Sequence, residues 1–358
     1  MTLEQRISAF EKLGCLFRET AGAGGSASEK QETEGLAEHI ARLKNLAGTV
    51  HIYNGWFTKD NVLLAIRSWG QALRKENLEQ WVDRYIIREQ VPKKIGLIMA
   101  GNIPLVGFHD MLCVLISGHS VVAKRSGGDD QLPEFVAAFL ISIEPAFKER
   151  IHFTDGLLKE MDAVIATGNN NSSRYFDYYF GKYPHIIRKN RNSVAVLNGT
   201  ETNEELVLLG EDIFNYFGLG CRSVSKLFIP EKYDLNNLFR AVYSHQSVLQ
   251  NNKYANNYEY TKTVYLMNGI SLLENGFLLL KEDIGLASPV AVVYYEYYKN
   301  EAEVLNRLRM DAVNIQCVVS KVKSIKNATE FGRTQHPQLW DYSDGVNTME
   351  FLGTLLNA

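Results

Sequence analysis

The sequence predicts an α/β protein with two doubly wound lobes behind a helical N-terminal region. Three observations carry that expectation. Short apolar runs bounded by turn residues recur from residue 94 onward and read as strands buried on both faces. Helical patterns separate them, and strand, helix and strand at this spacing imply right-handed parallel crossovers. Upstream of Pro92, apolar residues recur at helical spacing alone. With 358 residues, 46% of them hydrophobic and 22% charged, the chain is long enough for two domains.

In order, Leu3, Ile7, Phe10 and Leu13 mark a first helix that stops before a glycine-rich stretch at 20–26, expected to be a mobile loop. Helices follow at 35–46, after Thr58 as N-cap (Val62, Leu63, Ile66, Trp69), and at 77–87. Residues 94–100 make the first strand, 101–105 a loop, and an apolar helix containing Phe108, Met111 and Leu115 ends at Gly118. A second strand at 120–124 leads through a polar loop to a helix at 135–143. Strands at 151–153 and 163–167 come next, the latter breaking at 168–173 into a helix at 174–180. A strand at 193–197 and a helix at 204–217 deliver the chain to Cys221, and an apolar strand follows it at 226–230. Then come a helix at 235–244, an asparagine-rich surface segment at 251–260, and strands at 263–266 and 289–295, the second behind an acidic loop at 281–285. A helix at 301–309 and a strand at 315–319 close the second lobe.

A formal net charge of −3 without a dense basic cluster gives no footprint for nucleic acid. The four cysteines (Cys15, Cys113, Cys221, Cys317) are far apart and form no CxxC pair, so neither a metal site nor a disulfide framework is expected. The first residues lack the basic and apolar regions of a signal peptide, and no apolar run reaches the length of a membrane span. A cytoplasmic location with reduced thiols is expected.

Chemistry concentrates at Gly218-Leu219-Gly220-Cys221-Arg222. Glycines let the backbone turn sharply, and free N–H groups with Arg222 adjacent would favour a thiolate, the form that attacks carbonyls. The same cysteine also fits a small buried hydrophobe. Asn102, Lys124 and Gly168 follow the carboxyl ends of strands, where ligands bind in doubly wound folds. No GxGxxG is present, so a nucleotide site cannot rest on that fingerprint.

Taken in order, these loops resemble the aldehyde dehydrogenase superfamily, and most closely its acyl-CoA reductases, including the fatty-acid reductase subunit of bacterial bioluminescence. Residues 101–105 (Gly-Asn-Ile-Pro-Leu) resemble the Asn-aromatic-Pro loop, and 117–126 the segment ending in Lys-Pro-Ser, here Lys124-Arg125-Ser126. Thr167-Gly168-Asn169 resembles the Thr-Gly-Ser turn, residues 218–221 the nucleophile motif, and 341–350 a C-terminal stretch of the acyl-CoA reductases.

The resemblance implies that Cys221 takes the acyl group as a thioester while the Asn102 amide and the Cys221 N–H form an oxyanion hole. It places Lys124 at the adenosine ribose or its 2′-phosphate, makes Ser126 a further cofactor contact, and puts Thr167, Gly168 and Asn169 beside the pyrophosphate and Glu282 at the nicotinamide ribose. Taken singly, Asn102 also fits a turn before Pro104, Lys124 a solvated strand end and Glu282 an exposed loop. The implied cofactor is NADPH or NADH, with Arg125 leaning towards the 2′-phosphate, and coenzyme A is part of the substrate. Acyl-CoA or an acylated carrier would be the donor, an acyl-transferring synthetase a candidate partner, and a homo-oligomer is allowed.

Hydrolytic members of the superfamily carry a water-activating Glu upstream of the cysteine, and that neighbourhood here, 184–189, holds no carboxylate. An enzyme that must keep its thioester until hydride arrives has no use for that base, although His185 is a substitute. The expected organisation is a helical region at 1–92, a nucleotide-binding lobe at 93–190, a catalytic lobe at 191–330 and a C-terminal segment, 331–358, returning to the cofactor lobe. An NAD(P)-dependent aldehyde dehydrogenase, or a non-catalytic nucleotide-binding or acyl-carrying partner of a synthetase, is the alternative.

Overall fold

The computed structural model describes residues 1–22, 35–89, 91–168 and 170–355. Two compact units emerge from its contacts: residues 1–189 with 337–358, and residues 190–336.

The first unit begins with helix α1 (Leu3–Thr20), started by a capping box in which Thr2 Oγ1 accepts the Gln5 N–H and Gln5 Oε1 accepts the Thr2 N–H. Its inward face, Phe10, Leu13, Leu16 and Phe17, is fully buried. Helices α2 (Ala37–Thr49), α3 (Lys59–Ala72) and α4 (Lys75–Val82) follow, and Thr58 caps α3 as its sequence predicts, accepting the Asn61 N–H at 3.3 Å. The expected mobile stretch lies, from residue 23 on, outside the described residues. Helix α4 ends at Val82, short of the expected 87, because Tyr85 instead turns its hydroxyl onto Tyr342 Oη at 2.7 Å.

Strand β1 (Lys94–Ile98), helix α5 (Phe108–Ile116), β2 (Ser120–Lys124), α6 (Gln131–Ile143), β3 (Ile151–Thr154), β4 (Ala163–Thr167), α7 (Asn170–Phe180) and β5 (His185–Arg188) complete the sheet. All five strands run parallel in the order β3-β2-β1-β4-β5. The chain builds outward on one side of β1 and then crosses to the other, so the strand order reverses between β1 and β4. Ligands of open α/β sheets bind beyond the carboxyl ends at such a point.

The second unit comprises β6 (Asn192–Val196), α8 (Asn203–Phe214), β7 (Val224–Pro230), α9 (Leu235–Ala241), α10 (Asn252–Met267), β8 (Leu273–Glu274), β9 (Leu279–Glu282), β10 (Val292–Tyr298), α11 (Glu301–Met310) and β11 (Ile315–Val319). Its sheet has the order β11-β6-β7-β10-β9-β8, parallel except for β8. Three expectations fail here. Residues 251–260 and the expected strand at 263–266 form one helix, α10, whose start is fixed by Asn251 Oδ1 accepting the N–H groups of Lys253 and Tyr254. The run at 289–295 becomes extended only at Val292, because Ala291 takes a left-handed backbone (φ 64°). Part of the expected acidic loop is strand: Lys281 and Glu282 belong to β9 and pair with Tyr294 and Tyr295 of β10.

Residues 337–358 belong to the first unit and carry helix α12 (Thr348–Thr354), whereas 331–336 stay with the second, where Asp212 accepts the N–H groups of Gly332 and Thr334. Tyr342 Oη accepts the Trp81 indole N–H at 2.7 Å, and a ring nitrogen of His109 pairs with the Leu339 carbonyl at 2.8 Å. Arg188 donates to Asp110 at 2.6 and 3.2 Å, to Thr348 Oγ1 at 2.8 Å and to the Ser343 carbonyl at 2.6 Å. Burial disfavours both charges of this pair, yet the partner's charge and hydrogen bonds, with smaller help from His109 and Thr348 on Asp110 and from Asp344 on Arg188, leave the Asp110 carboxyl below its ordinary value and the Arg188 guanidinium above it. The motif at 341–350 therefore acts in packing. No helix among the described residues is long and apolar enough to cross a membrane.

Candidate active site

In the first unit, three loops leave the carboxyl ends of adjacent strands. Ile98 of β1 pairs with Lys124 of β2 and Ala166 of β4, which brings Asn102, Lys124 and Thr167 to one end of one sheet. Asn102 is exposed, while Lys124, Ser126, Thr167 and Gly168 are half-buried. Asn169 lies outside the described residues. The loops carrying Asn102 and Ser126 touch through glycine backbone. A Cβ on Gly101 would stand 2.1 Å from Ser126 Oγ, and one on Gly128 would stand 2.4 Å from the Gly101 carbonyl oxygen. Ser126 Oγ accepts the Gly128 N–H at 3.2 Å, which fixes the turn after β2. A Cβ on Gly168 would meet the Phe176 ring at 2.7 Å, so only glycine lets α7 pack this close to β4.

Two features of these loops were missed by sequence reasoning. Leu105, three residues beyond Asn102, has a left-handed backbone (φ 57°), and Asp129 Oδ2 accepts its N–H at 2.7 Å. Asp129 itself is buried, and burial raises its pKa to about 7. The paired acids in Gly-Gly-Asp-Asp-Gln were the only signal in the sequence.

Cys221 lies in the second unit, ahead of β7 and half-buried. Helix α8 does not reach it as expected. It ends at Phe214, and Tyr216, Phe217 and Gly218 then take three successive left-handed conformations (φ 55°, 58° and 75°). Such backbone costs about 1–2 kcal/mol for each residue with a side chain. Burial of Tyr216 and Phe217, with the Phe217 ring 5.9 Å from that of Tyr254, holds the turn. The Cys221 carbonyl accepts the hydroxyl of the fully buried Ser193, at 2.9 Å, from β6. Ser193 Oγ also lies 2.9 Å from Cys317 Sγ of β11, so one hydroxyl links the Cys221 backbone to a second cysteine. Burial pushes the Cys317 thiol up, against a smaller opposing pull from Ser193 and Arg222.

Glu282 is exposed at the end of β9. The segment beyond it is held by a residue missed in the sequence, Lys226, a charge inside the apolar run of β7. Its fully buried Nζ donates to the Asp283 carbonyl and lies 2.9 Å from Glu296 Oε2. Burial lowers the Lys226 pKa, and Glu296 opposes that shift. His185, the substitute base, sits at the amino end of β5, paired with Val164 of β4, whereas Thr167 at the carboxyl end pairs with Arg188. It therefore lies at the opposite end of this sheet from Lys124 and Thr167, with Nδ1 held 2.8 Å from the Tyr183 carbonyl.

No protein-family model and no curated protein matches the sequence. Solved structures do match. Aldehyde dehydrogenase 21 from Physcomitrella patens, in complex with the reaction product succinate, aligns with a TM-score of 0.66 at 13% identity over 99% of this chain and 84% of its own. The NAD+ complex of an aldehyde dehydrogenase from Bacillus cereus aligns at 0.56 with 16% identity, over 91% and 73%. KauB of Pseudomonas aeruginosa, also an aldehyde dehydrogenase, aligns at 0.58 with 12% identity, over 92% and 78%. The chain therefore has the aldehyde dehydrogenase fold. At these identities the likeness defines architecture and leaves the chemistry to the residues.

Proposed function

We propose that the chain is an NAD(P)H-dependent reductase of acyl thioesters that works through an S-acyl intermediate on Cys221. The observation that carries this reading is Cys221 itself: a half-buried thiol on a strained turn whose backbone is anchored by Ser193. Strain of this kind persists where surrounding structure over-determines it, and it clusters at functional sites. The Cys221 thiolate would attack the thioester carbonyl, and collapse of the tetrahedral adduct would expel coenzyme A as a thiolate. Asn102, assigned by resemblance, would donate to the developing oxyanion, a role worth about 3 kcal/mol.

A nicotinamide nucleotide fits the first unit. Its loops open at the reversal of strand order, Lys124 offers a cation, and Gly168 leads into α7, whose N-terminus favours phosphate. Lys124, Ser126, Thr167, Gly168 and Asn169 would hold it, with Glu282 at the nicotinamide ribose. When bound, it would supply a hydride to the acyl carbon. Collapse of the resulting tetrahedral adduct would then break the bond to sulfur, releasing the aldehyde and returning Cys221 as thiolate for another turnover.

One observation favours thioester reduction over aldehyde oxidation. The neighbourhood where a water-activating carboxylate would stand supplies instead Arg188, buried and paired with Asp110.

The test is intact-protein mass after mixing with medium- or long-chain acyl-CoA without reductant, for wild type and Cys221→Ser. An adduct confined to wild type, cleaved by hydroxylamine and discharged by NADPH with release of aldehyde, is expected. An adduct that NADPH leaves untouched would point to an acyl carrier. If no donor, including acylated carrier proteins, forms one, the covalent mechanism is wrong.

A further inference from the structure

Resting on that functional reading, we propose that Asp129 is a positioning residue: its carboxylate clamps the left-handed turn at Leu105, and through it the Asn102 loop, onto the turn that carries Ser126. The backbone explains why a clamp is needed. A left-handed leucine persists only where its surroundings hold it; the Leu105 side chain is buried, and Asp129 Oδ2 adds a hold on its N–H at 2.7 Å. Gly101 and Gly128 leave no room for side chains between the two loops, so any movement of one is transmitted to the other.

The carboxylate is an expensive choice for a structural latch. Only about 4% of Asp129 is exposed, and its Oδ1 makes no hydrogen bond of normal geometry. Among the described residues no cation pairs with it. Asp130 adds a like charge, although the Leu132 N–H at the start of α6 favours the ionised form as the Leu105 N–H does. Arg125, on the same turn, is taken by Glu134 of α6 and by Asp155. The 101–105 segment carries no ionisable side chain, and Asn54, which reaches the Gly128 carbonyl at 2.9 Å, is neutral. A buried, half-satisfied carboxylate retained against its desolvation penalty marks a functional position rather than a stabilising one.

The sign of the resulting pH dependence follows. Because the folded-state pKa stands at about 7, above the ordinary 3.8, the folded chain holds this proton more tightly than the unfolded chain. The associated stability is full at low pH and is lost as pH rises towards 7. Between pH 5 and pH 8, the unfolding equilibrium constant of wild type should therefore rise on the order of a hundredfold relative to Asp129→Asn.

The experiment compares wild type, Asp129→Asn and Asp129→Ala, using urea unfolding across pH 5–8, hydrogen exchange of the 101–105 segment, and the rate of Cys221 acylation, all where circular dichroism shows each variant folded. Asp129→Asn, which keeps a carbonyl acceptor, should keep acylation within about threefold of wild type and lose the pH-dependent instability. Asp129→Ala should exchange the Leu105 amide at least tenfold faster and acylate at least tenfold more slowly. Equal pH dependence of unfolding in wild type and Asp129→Asn, or equal protection of Leu105 in Asp129→Ala, overturns the proposal. Failure of wild type to acylate would overturn the functional reading instead, and the unfolding and exchange measurements would still decide the role of Asp129.

Discussion

The two units deliver their candidate residues in opposite ways. In the first, Asn102 follows β1 while Lys124 and Thr167 close β2 and β4, so their positions are inherited from the parallel register of the three strands. In the second, Cys221 precedes its strand and follows a helix that stops early, so its position depends on a left-handed turn and one hydroxyl from β6. The first arrangement is robust because a sheet resists local change. The second is local and strained, and should be correspondingly easy to perturb.

Substitutions can break this contrast, and the largest effect belongs to the second unit. Cys221→Ser should abolish the acyl adduct, a loss of about a thousandfold or more in acylation rate measured by stopped flow. Stability, by contrast, should respond most in the first unit. Arg188→Met strands the Asp110 carboxylate and frees the Ser343 carbonyl, and should cost about 3–5 kcal/mol in urea unfolding, because breaking a buried pair leaves an unpaired charge. An unchanged unfolding midpoint would mean that the C-terminal segment contributes little to its unit. Asn102→Ala should slow acylation by about a hundredfold with NADPH affinity preserved, as loss of an oxyanion donor predicts. An equal loss in both would show that the loop, rather than the amide, matters. Ser193→Ala is the smallest change, about 1 kcal/mol in stability, but it should slow acylation several-fold if the strained turn needs its anchor. A rate identical to wild type would show the turn to be held by Tyr216 and Phe217 alone.

The sequence was most legible where an element's own residues decide its fate. Strands β1, β2 and β4 are apolar runs closed by turn residues, and Thr58 caps the helix it precedes. Legibility failed where distant contacts decide. Thr263-Val264-Tyr265-Leu266 has the β-branched and aromatic composition of a strand, yet Tyr254 and Tyr258, buried one turn apart on α10, commit the whole segment to helix. Helix α8 gave no sign of ending at Phe214, since Tyr216 and Phe217 are ordinary helical residues whose left-handed backbone is set by burial. At the candidate site, the motif-bearing residues could be read, because their chemistry is in their type. Their supports, Asp129, Ser193 and Lys226, could not, because each is defined by a partner far away in the chain.

The first unit is discontinuous, since residues 337–358 complete a body begun by residues 1–189. During synthesis, Arg188, Trp81 and His109 therefore emerge from the ribosome well before Ser343, Tyr342 and Leu339, their eventual partners. Residues 190–336 are contiguous and can fold as soon as they are free, whereas the first unit must wait with an apolar face uncovered, a time when chaperone binding or aggregation competes with folding.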